Sequence, residues 1–396
     1  MDKLIQPKTA AVANDDKPLG LYIHIPFCVK KCDYCDFLSA PATVETKRRY
    51  VDALIAEIKG CASSYLMFEV QTIFFGGGTP SCLEANEIRR IMDALSETFH
   101  LRKGYREVSI EVNPGTLTKE KLRVYKEAGI NRLSFGLQSV NNEELKKLGR
   151  IHTYQQFKDN FLLARSLGFD NINVDLMSAL PEQTEESWER TLRTIIALEP
   201  EHISAYSLIV EEGTGFYERY REGTKGHELL PDEDTDRRIY HLTKEILKAS
   251  GYEQYEISNY AKKGYECRHN SSYWIGTDYL GLGLGASSLI QGVRFSKEED
   301  LLKYLEVCES DLVRETCELT REQRMEEFMF LGLRMCHGIS KQEFYHRFQK
   351  NIKEIYPKII ENLVGKGLLL EEGDRIYLTD FGIDVSNQVL AEFLLG

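Results

Sequence analysis

Six short apolar runs, at residues 21–26, 72–75, 108–112, 132–137, 172–176 and 203–209, alternate with stretches of helical period near 44–64, 84–100, 118–128, 154–167 and 184–198. This alternation constrains the fold more than any other feature of the chain. Runs of strand character followed in turn by helical periods mark βα units. Several helical stretches open on a capping residue, as Thr118 does ahead of Lys119 and Glu120. Strands joined by helices lie parallel and are buried on both faces. Six units suit a partial barrel better than a closed eightfold one, although a doubly wound open sheet shares the periodicity. The expected class is therefore α/β, a partial (βα)6, TIM-like barrel over residues 20–215 preceded by an N-terminal arm at 1–19.

After residue 210 the pattern loosens into a polar stretch, EEGTGFYERYREGTKGHELLPDEDTD, which reads as surface loop ahead of a helix near 234–250. Residues 216–317 form a connecting region that contains the glycine-rich TDYLGLGLGASS at 277–288. Residues 318–396 are mainly helical with one strand-turn-strand near 368–378, the order of a small winged-helix-like domain. Such domains can bind DNA, but this segment has no basic surplus. The whole chain, with 50 Lys+Arg against 62 Asp+Glu, is acidic by 12 charges. It offers no diffuse cationic field to nucleic acid or anionic lipid, so packing or partner contact is the expected role of the last domain. No apolar run approaches the roughly 20 residues a bilayer crossing needs, and the first residues lack a secretory signal. A cytoplasmic protein is expected, with peripheral membrane contact left open.

Three of the nine cysteines crowd into eight residues. In GLYIHIPFCVKKCDYCDF, Cys28, Cys32 and Cys35 form a C-x3-C-x2-C loop directly after the first strand. That is the carboxyl end, where α/β folds place their sites. Three thiolates on one loop can converge on one centre. A structural zinc wants a fourth ligand, and neither Asp36 nor a nearby histidine completes a usual zinc pattern. A [4Fe–4S] cluster held by three cysteines leaves one iron open for another ligand. Further along, Gly76, Gly77 and Gly78 allow close approach of a ligand to backbone and Thr79 adds a hydroxyl; no GKS or GKT follows, so this is not a P-loop. Glu111, Gln138 and Asp175 fall at or just past strand ends, where they can hydrogen-bond a nucleoside's ribose or amino-acid end. Arg150, in GRIHT, can pair with a carboxylate.

The cysteine loop resembles that of the radical S-adenosylmethionine superfamily. YIHIPFC, GGGTP at 76–80, EVNPGT at 111–116, FGLQS at 135–139 and DLMSALP at 175–181 resemble the branch of oxygen-independent coproporphyrinogen III oxidase and its heme-chaperone relatives, in order over about residues 20–390. The resemblance implies a radical SAM barrel with a [4Fe–4S] cluster on Cys28, Cys32 and Cys35 and S-adenosyl-L-methionine on its open iron. It also implies that Tyr22, Gly77 and Glu111 contact that molecule. Tyr34, Gly78, Thr79, Gln138, Arg150 and Asp175 match positions that in the oxidase face a second S-adenosylmethionine.

Two departures point away from the oxidase. Its loop carries a further cysteine, where this chain has Asp36 and Phe37, and its arm ahead of the first cysteine is longer than the 27 residues here. Both are shared with the HemW-type heme chaperones, and CRHNSSYW at 267–274 matches the HNxxYW signature of that group. The resemblance implies heme binding with His269 as a ligand, Tyr273 and Trp274 being able to pack against a macrocycle. Cys267 is either a second ligand or a plain buried thiol, and Gly281, Gly283 and Gly285 read as a turn-rich wall near the cofactor. The implied function is to hand heme to a membrane hemoprotein such as a respiratory oxidase, with a homodimer left open. The rival is a coproporphyrinogen III dehydrogenase that cleaves S-adenosylmethionine to oxidise a tetrapyrrole propionate.

Overall fold

The computed structural model describes residues 17–102, 104, 106–306 and 312–395, so most of the expected arm lies outside the described residues. Strands β1 (Lys17–Ile25), β2 (Phe68–Gly77), β3 (Glu107–Val112), β4 (Arg132–Gln138), β5 (Ile172–Ser178) and β6 (His202–Ser207) pair in chain order, all parallel. Helices α1 (Val44–Gly60), α2 (Ala85–Thr98), α3 (Lys119–Glu127), α4 (Asn142–Lys147), α5 (Tyr154–Ser166) and α6 (Glu185–Ile196) form the crossovers. Thr118 caps α3 as expected, its side chain accepting from the Lys121 N–H at 3.1 Å. Strand β1 begins earlier than its apolar run, because residues 17–19 pair with 68–70 ahead of a bulge although Lys17 and Pro18 are polar or strand-breaking.

The strands are covered on both faces, but only the outer one is apolar. Along β3, Val108, Ile110 and Val112 join the core under the helices, while Glu107, Ser109 and Glu111 alternate to the inside. Leu21 and Ile23 against Tyr22 and His24 repeat this on β1. The inner polar groups bond one another, as buried polar groups must. His202 Nδ1 lies 2.6 Å from Asn173 Oδ1, and Asn173 Nδ2 donates to Ser134 Oγ and Asp175 Oδ1, both at 2.7 Å.

The polar stretch after residue 210 is not all loop, since it contains the short helix α7 (Gly215–Tyr220) before α8 (Glu233–Ala249). Six further strands extend the sheet: β7 (Glu253–Glu256), β8 (Asn259–Ala261), β9 (Tyr279–Leu282), β10 (Ser287–Ile290), β11 (Val293–Lys297) and β12 (Val313–Glu318). The order is β12-β11-β10-β9-β1-β2-β3-β4-β5-β6-β8-β7. The glycine-rich passage is thus corrected from a turn-rich wall to a strand and a turn. Gly281 lies in β9, parallel to β1, while Gly283 and Gly285 turn the chain with φ of +104° and +66°. A buried pair fastens this edge: Lys297 Nζ sits 3.1 Å from Glu57 Oε1 on α1, and Glu57 Oε2 accepts from Tyr304 and from the Gly283 N–H.

Helix α9 (Arg268–Trp274) lies between β8 and β9, and α10 (Leu301–Glu306) precedes β12. The C-terminal part has its own apolar cluster, including Met329, Phe344, Tyr356, Leu369, Ile376 and Phe393. Helices α11 (Arg321–Gly332), α12 (Lys341–Phe348), α13 (Ile352–Ile355) and α14 (Pro357–Gly365) pack with a three-stranded antiparallel sheet of β13 (Ile339–Ser340), β14 (Leu369–Glu372) and β15 (Arg375–Leu378). This mainly helical unit carries the expected strand-turn-strand.

Candidate functional site

Beyond β1 the chain makes a loop whose base closes where Phe27 lies beside Ala40. The Cys28 N–H donates to the Ala40 carbonyl at 3.2 Å, and the Ala40 N–H to the Pro26 carbonyl at 3.0 Å. Cys28, Cys32 and Cys35 sit in this loop as free thiols. Asp33 anchors it: its carboxylate accepts from Arg219 of α7 at 2.6 Å, its N–H donates to the Leu148 carbonyl, and its carbonyl accepts from the Phe216 N–H. Tyr34 packs edge-on against Phe216 with ring centroids 6.2 Å apart. Sequence reasoning gave α7 no role, because its only signal is a Thr214 cap ahead of six residues.

Each cysteine sulfur faces a donor. The Thr79 hydroxyl donates to Cys28 Sγ at 3.5 Å, Arg150 Nη1 to Cys32 Sγ at 3.4 Å, and the Phe37 N–H to Cys35. Burial pushes the Cys35 thiol up. Arg150 is half-buried, and its hydrogen bonds within the protein run to Cys32, to Asn113 Oδ1 at 2.7 Å and to the Gly136 carbonyl.

Protein packing also requires the glycines of GGGTP. A Cβ on Gly77, where φ is +110°, would lie 2.5 Å from the His24 ring; one on Gly78 would lie 2.7 Å from the Phe27 carbonyl. His24 ties the loop to the barrel wall, its Nδ1 lying 3.1 Å from the Tyr22 hydroxyl and its Nε2 3.1 Å from the Leu38 carbonyl.

Below the loop, Tyr22, Glu111 and Asp175 line the barrel interior. Water reaches part of each, since all three are only half-buried, yet protein surrounds them deeply enough to shift their protonation. Burial first, and then the neighbouring Asp175, push Glu111 up to about 8, against the pull of the Gly77 N–H bonded to it. Burial likewise raises Asp175, with Asn173, Ser204 and Ser134 opposing. Asp175 is the fourth residue of β5 rather than its end, so it lies deeper than expected, whereas Glu111 is next to last in β3. Gln138 does end β4, buried, with φ of +76°. Such a left-handed non-glycine residue costs about 1–3 kcal/mol.

His269 lies in the barrel interior on α9, only 1% exposed. Its Nδ1 is 2.8 Å from Thr72 Oγ1 and its Nε2 is 2.9 Å from the Tyr273 hydroxyl, while the ring stacks on Phe74 at 5.1 Å. Burial, with the Arg132 charge adding to it, lowers its pKa to about 3. Glu107 holds the start of α9, accepting from the N–H groups of Arg268 at 2.9 Å and His269 at 3.1 Å. Tyr273 meets Tyr279 edge-on at 4.7 Å, and Trp274 carries the Arg334 guanidinium over its ring at 4.3 Å, so both faces offered to a macrocycle already have neighbours. Cys267 is fully buried, its thiol pushed up to about 12 by burial, which keeps it protonated near neutrality.

A parallel (βα)6 barrel with three cysteines at its carboxyl mouth is the architecture of a radical SAM protein. Residues 22–195 match the Radical SAM superfamily and residues 319–385 the HemN C-terminal domain. The chain belongs to the HemW family within that superfamily. It is 38% identical over 375 residues to the heme chaperone HemW of Bacillus subtilis, spanning 94% of this chain and 98% of that one. The heme chaperone HemW of Lactococcus lactis is 36% identical over 379 residues, spanning 96% and 98%. Among solved structures, coproporphyrinogen III oxidase (HemN) from Escherichia coli shares the fold with a TM-score of 0.85 at 25% identity, over 97% of this chain and 92% of that one.

The superfamily implies a [4Fe–4S] cluster and S-adenosylmethionine. The residues present fit both. Three free thiols share one anchored loop, each with a donor that a ligated thiolate can use, and a polar interior reached by water lies beneath. Among the described residues no helix is long and apolar enough to cross a membrane.

Proposed function

We propose that the protein is a heme chaperone, holding a [4Fe–4S] cluster on Cys28, Cys32 and Cys35 and S-adenosylmethionine in the barrel mouth, and that it passes heme to a membrane hemoprotein. Tyr22, Gly77 and Glu111 are the proposed contacts to the cluster-bound molecule. Tyr34, Gly78, Thr79, Gln138, Arg150 and Asp175 are proposed to face a second one. The observation that carries the reading is the HNSSYW helix, α9, docked against the barrel in a chain whose cysteine loop continues with Asp36 instead of a fourth cysteine. Near full-length similarity to proteins named heme chaperones supports it.

When bound, the cluster supplies one-electron redox chemistry. This chain's residues hold and shield it: Asp33 and His24 fix the loop, while Thr79 and Arg150 address two of the sulfurs. For His269 to ligate heme iron, its ring must first give up Thr72 or Tyr273. The likeness to the oxidase structure favours a second reading, oxidation of a porphyrinogen, and one experiment separates the two. Anaerobically reconstituted protein is titrated with heme and, in parallel, incubated with coproporphyrinogen III, S-adenosylmethionine and a reductant. Stoichiometric heme binding, with a spectrum altered in His269→Ala and no porphyrinogen consumed, is expected. Steady porphyrinogen oxidation with 5′-deoxyadenosine released in step overturns the chaperone reading.

A further inference from the structure

Asn113 follows β3 in EVNPGT, a motif from which the sequence reading took only Glu111. Its side chain makes two bonds. Nδ2 donates to Thr79 Oγ1 at 2.7 Å, and Oδ1 accepts from Arg150 Nη2 at 2.7 Å. The amide cannot be turned the other way, because a guanidinium only donates and needs the oxygen opposite it. With the Thr79 oxygen already accepting, its hydroxyl hydrogen is left to point at Cys28 Sγ; with Nη2 of Arg150 engaged, Nη1 is left for Cys32 Sγ. One side chain therefore sits midway along an arc from Cys28 through Thr79, Asn113 and Arg150 to Cys32.

The backbone under this amide is clamped on both sides. The Asn113 N–H donates to Ser81 Oγ at 3.1 Å and its carbonyl accepts from Thr116 Oγ1 at 2.7 Å. Ser81 is fully buried and bonds Thr116 at 2.7 Å. Opposite, a Cβ on Gly136 would fall 2.7 Å from Asn113 Oδ1, so the strand β4 beside it has room only for glycine. Such enclosure holds donor directions fixed before any ligand arrives.

The geometry points to Asn113 as a positioning residue for the iron–sulfur cluster, aiming the Thr79 hydroxyl and the Arg150 guanidinium at two of its three cysteine sulfurs and thereby setting its reduction potential. Hydrogen bonds and positive charge at cluster sulfurs favour the more negative, reduced cluster and raise the potential. The inference rests on the reading that Cys28, Cys32 and Cys35 hold the cluster, and it is independent of whether heme binds.

The test is an EPR-monitored dithionite titration of the full chain after anaerobic reconstitution, with iron counted in every sample. Asn113→Ala is expected to retain four irons and to make one-electron reduction at least tenfold less favourable, a fall of about 59 mV in midpoint. Thr79→Val is expected to lower the midpoint by a smaller amount, Thr79→Ser to restore it, and the Asn113→Ala/Thr79→Val double to fall less than the two single changes together. An unchanged or higher midpoint in iron-replete Asn113→Ala overturns the inference. If Asn113→Ala fails to hold four irons, the Thr79 pair decides: equal midpoints for Val and Ser overturn it, and a lowered one for Val alone sustains it. Wild-type protein without a cluster would instead refute the cysteine assignment on which it rests.

Discussion

Replacing Glu111 by Gln removes a carboxyl whose proton affinity the fold has raised, and the consequence is a change in how stability depends on pH. In the unfolded chain this carboxyl titrates near its usual 4.5, and in the folded protein near 8, chiefly because it is buried and secondly because Asp175 stands close. Each tenfold change in proton affinity is about 1.4 kcal/mol, so ionised Glu111 is disfavoured by at most roughly 5 kcal/mol; solvent reaching this half-buried group reduces that to about 2–3 kcal/mol. The folded pKa is the higher one, so the stabilisation is full below about 4.5 and is lost as pH rises toward about 8, with a slope of at most about 1.4 kcal/mol per pH unit. Urea unfolding of wild-type protein and Glu111→Gln at several pH values between 5 and 8, without S-adenosylmethionine, should give curves that diverge, the variant gaining relative stability as pH rises. Asp175, whose charge is part of the cause of the Glu111 shift, is present in both proteins, and the divergence includes the mutual repulsion that the variant loses. S-adenosylmethionine, whose permanent sulfonium charge favours the ionised carboxylate, should bind the wild type more tightly as pH rises over this range. It should bind the variant more weakly by about 1.5–3 kcal/mol, with little pH dependence. Parallel stability curves, together with unchanged affinity, would refute the placement of Glu111 at this ligand.

Cys28→Ala, Cys32→Ala and Cys35→Ala should each lose the reconstituted cluster, and iron analysis finding four irons in any of them would contradict the assignment. His269→Ala should destabilise the protein by about 2–4 kcal/mol in denaturant unfolding, since Thr72 and Tyr273 lose their buried partner. His269 is also a source of acid sensitivity: its folded pKa of about 3 lies below the ordinary 6.5, so the stability it contributes is present above 6.5 and is lost as pH falls toward 3. His269→Asn should flatten part of that loss, with His24, His152, His202 and His337, shifted in the same direction, contributing to the remainder. Lys297→Met should cost about 3–5 kcal/mol by leaving the buried Glu57 carboxylate without its cation, and Lys297→Met/Glu57→Gln should recover much of the lost thermal stability.

The βα rhythm was readable because the outward faces of the strands and the inward faces of the helices carry regular apolar patterns, as Val108, Ile110 and Val112 do on β3. The early part of β1 was not, because Lys17 and Pro18 join the sheet through backbone pairing alone. Strands β7 to β12 escaped for a similar reason, being three to six residues each and specified by neighbours distant in the chain. At the site, the residue types carrying the chemistry stood out by spacing, but their partners did not. Arg150 reads as a cation awaiting a carboxylate, and only the folded chain brings it beside Cys32, 118 residues away. Asn113 had one available signal, a polar residue ahead of a proline at a strand end, which also describes an ordinary turn. His269 was visible through its motif, yet nothing in the sequence indicates that both ring nitrogens are already engaged by Thr72 and Tyr273.

Heme transfer tests the central claim most directly. Anaerobically reconstituted protein loaded with heme is mixed with an apo-hemoprotein, and the acceptor's absorption spectrum is followed for wild type and for His269→Ala. The account predicts that wild-type protein converts the acceptor to its holo form faster than free heme at the same concentration, and that His269→Ala, its cluster intact, does so much more slowly. Acceptor filled no faster by the loaded wild-type protein than by free heme would contradict the account.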